Sequence, residues 1–467
     1  MNAVRFCYTT VDQPSLSEGG VANHNEHMRI LAWDIGTSAI KAAVLDVASA
    51  QPVGPIHRAP LTLRQNGESA TLDPDEVWSV LVELTRQLTA DTAVAGIGFC
   101  CLTPGWLLLD AQGNPLTPVV THLDRRSRPL ALRLWRTAGQ EFLQETGNKP
   151  LPGGLSGIAC AHWLACEPEL RPKVRRFVHI NSWLCLRLTG RTAFDWGNAC
   201  FTGLFDWRGQ CWSRRWCEEL GISLAWLPDV TDGSTTIGGL TETAGETLGL
   251  PVGLPVKVGL ADTSAAVLAG QMQPGDLLHV VGTTQVLATL VLRPQPGPDH
   301  LTRMLGIGRQ FLHVTHNPVG GMALEWMHQL CFRDQTAQEF YQRTVPAAWQ
   351  HTTAVELDPP YLGGDRLAIE PTEAAFRHLH LGTDRLDLLA ALLHALHQQH
   401  HHALAALHAE MPFRQIFLTG GGAEIIRQLF PEYQQAEVVL LVEGSLSGVA
   451  RLFADDLGAD ASGSSSI

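Results

Sequence analysis

The segment from Ile30 to Asp46 constrains the fold most, because two short apolar runs, one before Asp34 and one after Ile40, are joined by a tight turn of glycine and hydroxyl residues. Apolar runs of this length with β-branched residues read as strands, and so short a connection makes them an antiparallel hairpin. Gly36 permits backbone angles that let successive amides converge on an anion. Thr37 and Ser38 supply hydroxyl donors, Lys41 adds positive charge, and Asp34 offers an oxygen that magnesium accepts directly or through water. Two readings of the turn stand side by side: a phosphate cradle, or an ordinary Asp-x-Gly-Thr hairpin connection. No GxxxxGK[ST] segment occurs, which argues against a P-loop enzyme.

At 467 residues the chain exceeds what one core holds, and two domains are expected. A hydrophobic fraction of 45% with 13 Trp fits globular packing. A net charge of -13 argues against a nucleic-acid partner or an anionic membrane surface. No uninterrupted apolar run of about eighteen residues is present, and Met1 to Gln13 lack the apolar core of a signal peptide, so a cytoplasmic protein without a membrane span is expected. The 10 cysteines form no CxxC pair and no metal-ligand pattern, and read as reduced, mostly buried thiols. For the adjacent Cys100 and Cys101, packing in a strand is favoured over redox chemistry.

Residues 1–27 lack periodicity and read as a disordered extension, and residues 458–467 as a flexible tail. Between them strands alternate with helical segments, indicating an α/β architecture. Pro74 to Thr89 reads as a helix, and Val94 to Phe99 and Trp106 to Leu109 as strands around a turn. The Pro and Gly punctuation from Leu248 to Pro255 marks a domain boundary, giving an N-terminal domain of residues 28–252 and a C-terminal domain of residues 253–457. The second half repeats the theme of the first: a strand from Leu277 to Val281, a turn Gly282-Thr283-Thr284, and a strand from Gln285 to Val291. Two such turns suggest a duplicated fold closing on one nucleotide.

Four motifs then occur in order: the Asp34 hairpin, Gly259-Leu260-Ala261-Asp262, Gly282-Thr283-Thr284, and Leu418-Thr419-Gly420-Gly421-Gly422-Ala423. Weaker landmarks lie between them, among them Asp124-Arg125-Arg126, Leu188-Thr189-Gly190, Leu204-Phe205-Asp206, and Gly320-Gly321 ahead of Glu325-Trp326. In this order and spacing, from about Met28 to Phe453, the chain resembles the FGGY family of carbohydrate kinases. The resemblance implies two ribonuclease-H-like domains of the actin, hexokinase and Hsp70 type, with ATP and sugar in the cleft between them. It implies ATP and Mg2+ as cofactors and a small-molecule sugar as partner; a homodimer is left open.

Phosphoryl transfer to an alcohol asks little covalent chemistry of a protein, so catalysis rests on in-line positioning, charge neutralisation and a base. The resemblance makes Asp262 that base; the alternative, Asp262 as a helix N-cap before Thr263 to Ala269, is compatible with it. Asp34 is the expected magnesium ligand. Gly36, Thr37, Ser38, Lys41, Gly282, Thr283 and Thr284 are expected around the phosphates. Gly421, Gly422 and Ala423, with Gly321 and Glu325 as a second wall, are expected around adenosine. Thr103, Pro104, Asp124, Asp262 and Thr263 are expected at the sugar.

Cys100-Cys101-Leu102-Thr103-Pro104 replaces the polar segment that family members carry there, which leaves the sugar open among D-xylulose, D-ribulose, sedoheptulose and related polyols. The same departure motivates a rival, a non-catalytic relative acting as nucleotide or sugar sensor or scaffold; an actin-fold ATPase is the other. His394, His397, His400, His401, His402 and His408 occur at helical spacing that could present metal ligands. With no neighbouring cysteine or acid to complete a site, an amphipathic core-facing helix is the preferred reading.

Overall fold

The computed structural model describes residues 28–282, 285–317, 320–358, 369–370, 373–407, 413–434 and 436–456. The expected N-terminal extension, the tail, Thr283, Thr284 and His408 lie outside the described residues.

The early hairpin forms as its sequence dictates. Strand β1 (Arg29–Ile35) pairs antiparallel with β2 (Ala39–Asp46), placing Asp34 opposite Lys41. Strand β3 (His57–Pro60) extends the sheet beyond β2. Helix α1 (Pro74–Thr89) then crosses it: the Asp73 carboxylate accepts from the Asp75 N–H at 3.0 Å, Pro74 opens the first turn, and Val77, Leu81 and Leu84 face the core. Each of those three buried side chains contributes roughly 1.5–3 kcal/mol of burial.

Strand β4 (Ile97–Cys101) returns parallel to β1, starting three residues later than the sequence suggested because pairing with β1 sets its register. Strand β5 (Gly105–Leu109) leaves for a separate five-stranded sheet, so β4 and β5 are not partners.

The boundary expected at 252/253 does not separate the sheets. Strands β6 (Pro255–Lys257) and β7 (Leu260–Ala261) both pair parallel with β4 and belong to the first sheet. Helix α2 (Asp262–Ala269) carries the chain across, and the second sheet begins at β8 (Leu277–Val281).

In that second sheet β8 pairs antiparallel with β9 (Gln285–Val291). Beyond β9 lie β11 (Phe311–Asn317) and then β10 (Leu301–Met304). After helices α3 (Gly321–Cys331) and α4 (Arg385–Ala406), strand β12 (Ile416–Thr419) joins parallel on the other side of β8. Helix α5 (Ala423–Leu429) and the short helix α6 (Pro431–Gln434) lead to β13 (Val438–Leu440), parallel to β12.

The duplication read from the sequence is therefore visible in strand order. The series β3-β2-β1-β4 followed by β6 and β7 in the first sheet has the same directions as β11-β9-β8-β12-β13 in the second. Helix α7 (Gly444–Ala450) follows β13 and returns to the first sheet. Leu446, Val449 and Ala450 pack with Ile30, Ala32, Cys100 and Leu260 in one buried cluster. Helices α2 and α7 approach so closely at Gly448 that a Cβ there would run into the Ala265 carbonyl.

Candidate active site

Three parallel strands of the first sheet end side by side, with Ile35 opposite Cys101 and Cys101 opposite Ala261. Loops at the carboxyl ends of parallel strands are where open α/β sheets place ligands. Asp34 near the end of β1 and Asp262 just after β7 are thus delivered to one edge, with β4 between them. The middle strand presents Cys100 and Cys101, both fully buried. Burial pushes both thiols well above the usual cysteine range, so they stay neutral and add no charge between the carboxylates.

Loss of solvent around Asp262 holds its carboxyl at about 6, and the nearby charge of Asp34 acts in the same direction. Asp34 is likewise raised by burial, against a hydrogen bond from Ser445 and the charge of Lys41, which lower it. The Thr263 N–H and Oγ1 donate to Asp262 Oδ1 at 2.6 and 3.2 Å. Ala261, not Asp262, caps α2; Asp262 is the first helical residue, where the helix dipole favours its negative charge.

Around Asp34 the hairpin departs from expectation in two ways. Gly36 does not adopt a positive φ; its role is steric, since a Cβ would sit 3.1 Å from the Ala39 carbonyl that accepts the Gly36 N–H. Lys41 is engaged by Glu443, its Nζ 2.5 Å from Oε2, so its charge is shared with an acid ahead of α7. Thr37 is half-buried and Ser38 exposed at the turn.

On the second sheet, the glycine turns converge. The Gly321 N–H donates to the Gly282 carbonyl at 3.0 Å, and the Gly422 N–H donates to the Val281 carbonyl at 3.0 Å. Gly420 has φ +95°, and a Cβ there would collide with the Val281 carbonyl. Gly421 has open space around it. Ala423 opens α5. The ends of β8 and β12 and the start of α3 therefore meet at one backbone-lined corner. Glu325, one turn into α3, is exposed and accepts from Gln329 Nε2 at 2.7 Å and Tyr341 OH at 3.3 Å.

The expected sugar residues divide. Asp124 is buried, accepting from the Ala70 N–H at 3.1 Å and from Arg126 Nη2 at 2.7 Å, so its carboxylate is occupied structurally. Pro104 is buried and brings no polar group. Thr103 Oγ1 donates to the Cys101 carbonyl at 3.0 Å and lies 3.4 Å from Asn198 Oδ1, beside a network that sequence reasoning missed. Asn198 Nδ2 donates to Asp195 at 2.5 Å, which leaves Oδ1 to accept from His179 Nδ1 at 2.9 Å; His179 Nε2 then accepts from Ser156 Oγ at 2.8 Å. Burial holds Asp195 at about 6. The one local signal was Asp195 three residues before Asn198, a helix-capping pattern. Arg303, fully buried, donates to Ser264 Oγ at 2.8 Å, while its Nε and Nη2 find no hydrogen-bond partner. Its positive charge bears on both Asp262 and Asp195.

The profile of the N-terminal domain of the FGGY family of carbohydrate kinases matches residues 29–269, more than half of the chain. The chain belongs to the FGGY family of carbohydrate kinases. This FGGY kinase is 23% identical over 453 residues to a gluconokinase of Bacillus subtilis, covering 88% of this chain and 84% of that protein. It is 26% identical over 265 residues to the autoinducer-2 kinase of Salmonella typhimurium, covering 54% of this chain and 49% of that protein. Its fold is that of a ligand-bound xylulose kinase from Lactobacillus acidophilus, with a TM-score of 0.81 at 20% identity over 92% of this chain and 90% of that one. The glycerol kinase of Plasmodium falciparum with ADP superposes with a TM-score of 0.77 at 17% identity, over 92% and 90% of the two chains. As an FGGY kinase it is a phosphotransferase that uses ATP and a sugar alcohol group, which sets aside the sensor and actin-type ATPase readings. Among the described residues, no helix is long and apolar enough to cross a membrane.

Proposed function

We propose that this kinase transfers the γ-phosphoryl group of ATP to a terminal hydroxyl of a ketose or related polyol, with Asp262 as the base. The observation that carries this reading is Asp262 itself, set beside Asp34 at the carboxyl ends of parallel strands with its carboxyl held at about 6. A carboxylate of that basicity accepts the hydroxyl proton as the alcohol attacks, while remaining ionised near neutral pH. The Thr263 N–H and hydroxyl fix Oδ1, leaving Oδ2 for the substrate.

Asp34 would hold Mg2+. Asp34 is raised by burial and its charge raises Asp262, so a hard divalent cation at this oxygen-donor edge would relieve both effects, and Ser445 donates to Asp34. When bound, the ion neutralises charge on the transferring phosphates. Gly36, Thr37 and Ser38 would line the phosphates from one side, and Gly282 with Thr283 and Thr284 from the other. The corner formed by Gly321, Gly421, Gly422 and Ala423 would take the nucleotide, because bare backbone there allows close approach to a flat ligand. We propose lobes divided at α2, residues 28 to about 269 and the remainder, with α7 returning to the first. Thr103, held by its hydrogen bond to the Cys101 carbonyl, would meet the sugar; Asp124 would shape the wall without touching it.

Initial rates with ATP across D-xylulose, D-ribulose, sedoheptulose, glycerol and D-gluconate test the acceptor. One strongly preferred ketose or polyol supports the reading; preference for gluconate would move the substrate class to sugar acids, with Arg303 as the first residue to examine.

A further inference from the structure

The histidines of α4, which phosphoryl transfer leaves unused, meet the acid that sequence reading did not find. His397 and His401 lie four residues apart and so share one helical face. Glu432, in α6, reaches both. His397 Nε2 stands 3.1 and 3.2 Å from the two carboxylate oxygens, and His401 Nε2 stands 3.3 Å from Oε1. One ligand atom from each residue falls within 4.8 Å of the others. The ring of His397 is held edge-on by Trp349 at 5.1 Å and against Phe430 at 4.6 Å. Glu432 is 13% exposed and His401 56%, so the cluster is anchored on its inner side and open to water on its outer one.

We propose that His397, His401 and Glu432 bind a divalent transition-metal ion of the zinc class, with water in the remaining position. Zinc takes histidine nitrogen and carboxylate oxygen at about 2.0–2.2 Å in a tetrahedron, which sets neighbouring ligand atoms about 3.3 Å apart. The two nitrogen-to-oxygen separations, 3.1 to 3.3 Å, are hydrogen-bond and ion-pair contacts without a metal and also fit that edge, while all three ligand atoms lie within 4.8 Å of one another. Two neutral imidazoles and one carboxylate also suit a borderline ion, whereas magnesium prefers oxygen alone, so this site is chemically distinct from the Asp34 region. His400 serves as the floor: it is buried, its Nε2 is 3.3 Å from Tyr433 OH, and its ring stacks on His279 at 5.1 Å. A bound ion would pin α4 to the segment that follows α5, the helix opened by the glycine turn.

The test uses the full chain, stripped with chelator and kept in excess Mg2+. It is titrated with Co2+ as a spectroscopic probe and then with Zn2+ in competition. We expect one Co2+ per chain with the intense visible bands of a four-coordinate nitrogen and oxygen site, displacement by Zn2+, and a higher melting temperature with Zn2+. His401→Ala, a change at an exposed side chain, and Glu432→Gln should each weaken binding at least tenfold, with circular dichroism unchanged. Wild-type affinity in both variants, a thiolate-to-cobalt charge-transfer band, or no uptake at micromolar metal would overturn the site.

Discussion

Ser445 Oγ donates a 2.6 Å hydrogen bond to Asp34 Oδ2, joining residues 411 positions apart. The neighbouring Glu443 pairs with Lys41 of the same hairpin, so the segment leading into α7 grips the first turn at two points. The carboxylate proposed to hold magnesium is therefore positioned by the far end of the chain.

Ser445→Ala removes a hydrogen bond that lowers the Asp34 pKa, so Asp34 should bind magnesium less well. We expect a several-fold higher Mg2+ concentration for half-maximal rate and a stability loss of about 1 kcal/mol. Initial rates over a magnesium series, with maximal rate recovered at high magnesium, check it; an unchanged magnesium dependence would remove Ser445 from this role.

Asp262→Asn should lower turnover by about a thousandfold while ATP binding changes little. In the wild-type enzyme, kcat/KM should climb about tenfold per pH unit below the carboxyl's value of about 6 and level off above it. A flat profile from pH 5 to 8, or near-normal turnover of the variant, would exclude Asp262 as the base.

The same substitution should stabilise the metal-free protein at neutral pH. A carboxyl at 3.8 unfolded and about 6 folded holds its proton longer in the native state, so wild-type stability falls as pH rises between those values and stays lower above them. Asn cannot ionise and escapes that loss, a gain of up to ~3 kcal/mol at pH 8 that fades toward pH 4. Chemical denaturation of both proteins in chelator at the two pH values measures it.

Gly420→Ala and Gly421→Ala separate folding from nucleotide binding. The first forces a side chain into a left-handed backbone position and against the Val281 carbonyl, costing roughly 1–3 kcal/mol. The second enters open space and should leave the melting temperature nearly unchanged while raising the KM for ATP several-fold. An unaltered KM in Gly421→Ala would move the nucleotide away from this turn.

Much of this was local and therefore legible. The first hairpin, helix α1 with its Asp73 cap and Pro74 start, and the paired strands β8 and β9 are short-range structures written by apolar runs and turn residues. The buried state of Cys100 and Cys101 followed from composition alone. The sheet that β6 and β7 join did not, because Pro251 and Gly253 mark a loop whichever sheet the next strand joins, and the free edge of β4 claims both.

Sequence alone determined the family and the order of the motifs and offered Asp34 and Asp262 as candidate carboxylates, since each rests on contiguous residues whose chemistry travels with them. Tertiary structure alone decided that Asp34 and Asp262 share an edge, that Glu443 engages Lys41, that Asn198 joins Asp195 to His179, and that Glu432 meets His397 and His401. Those pairings join distant segments through strand register and helix packing, and no local propensity encodes which remote side chain will arrive beside a given charge.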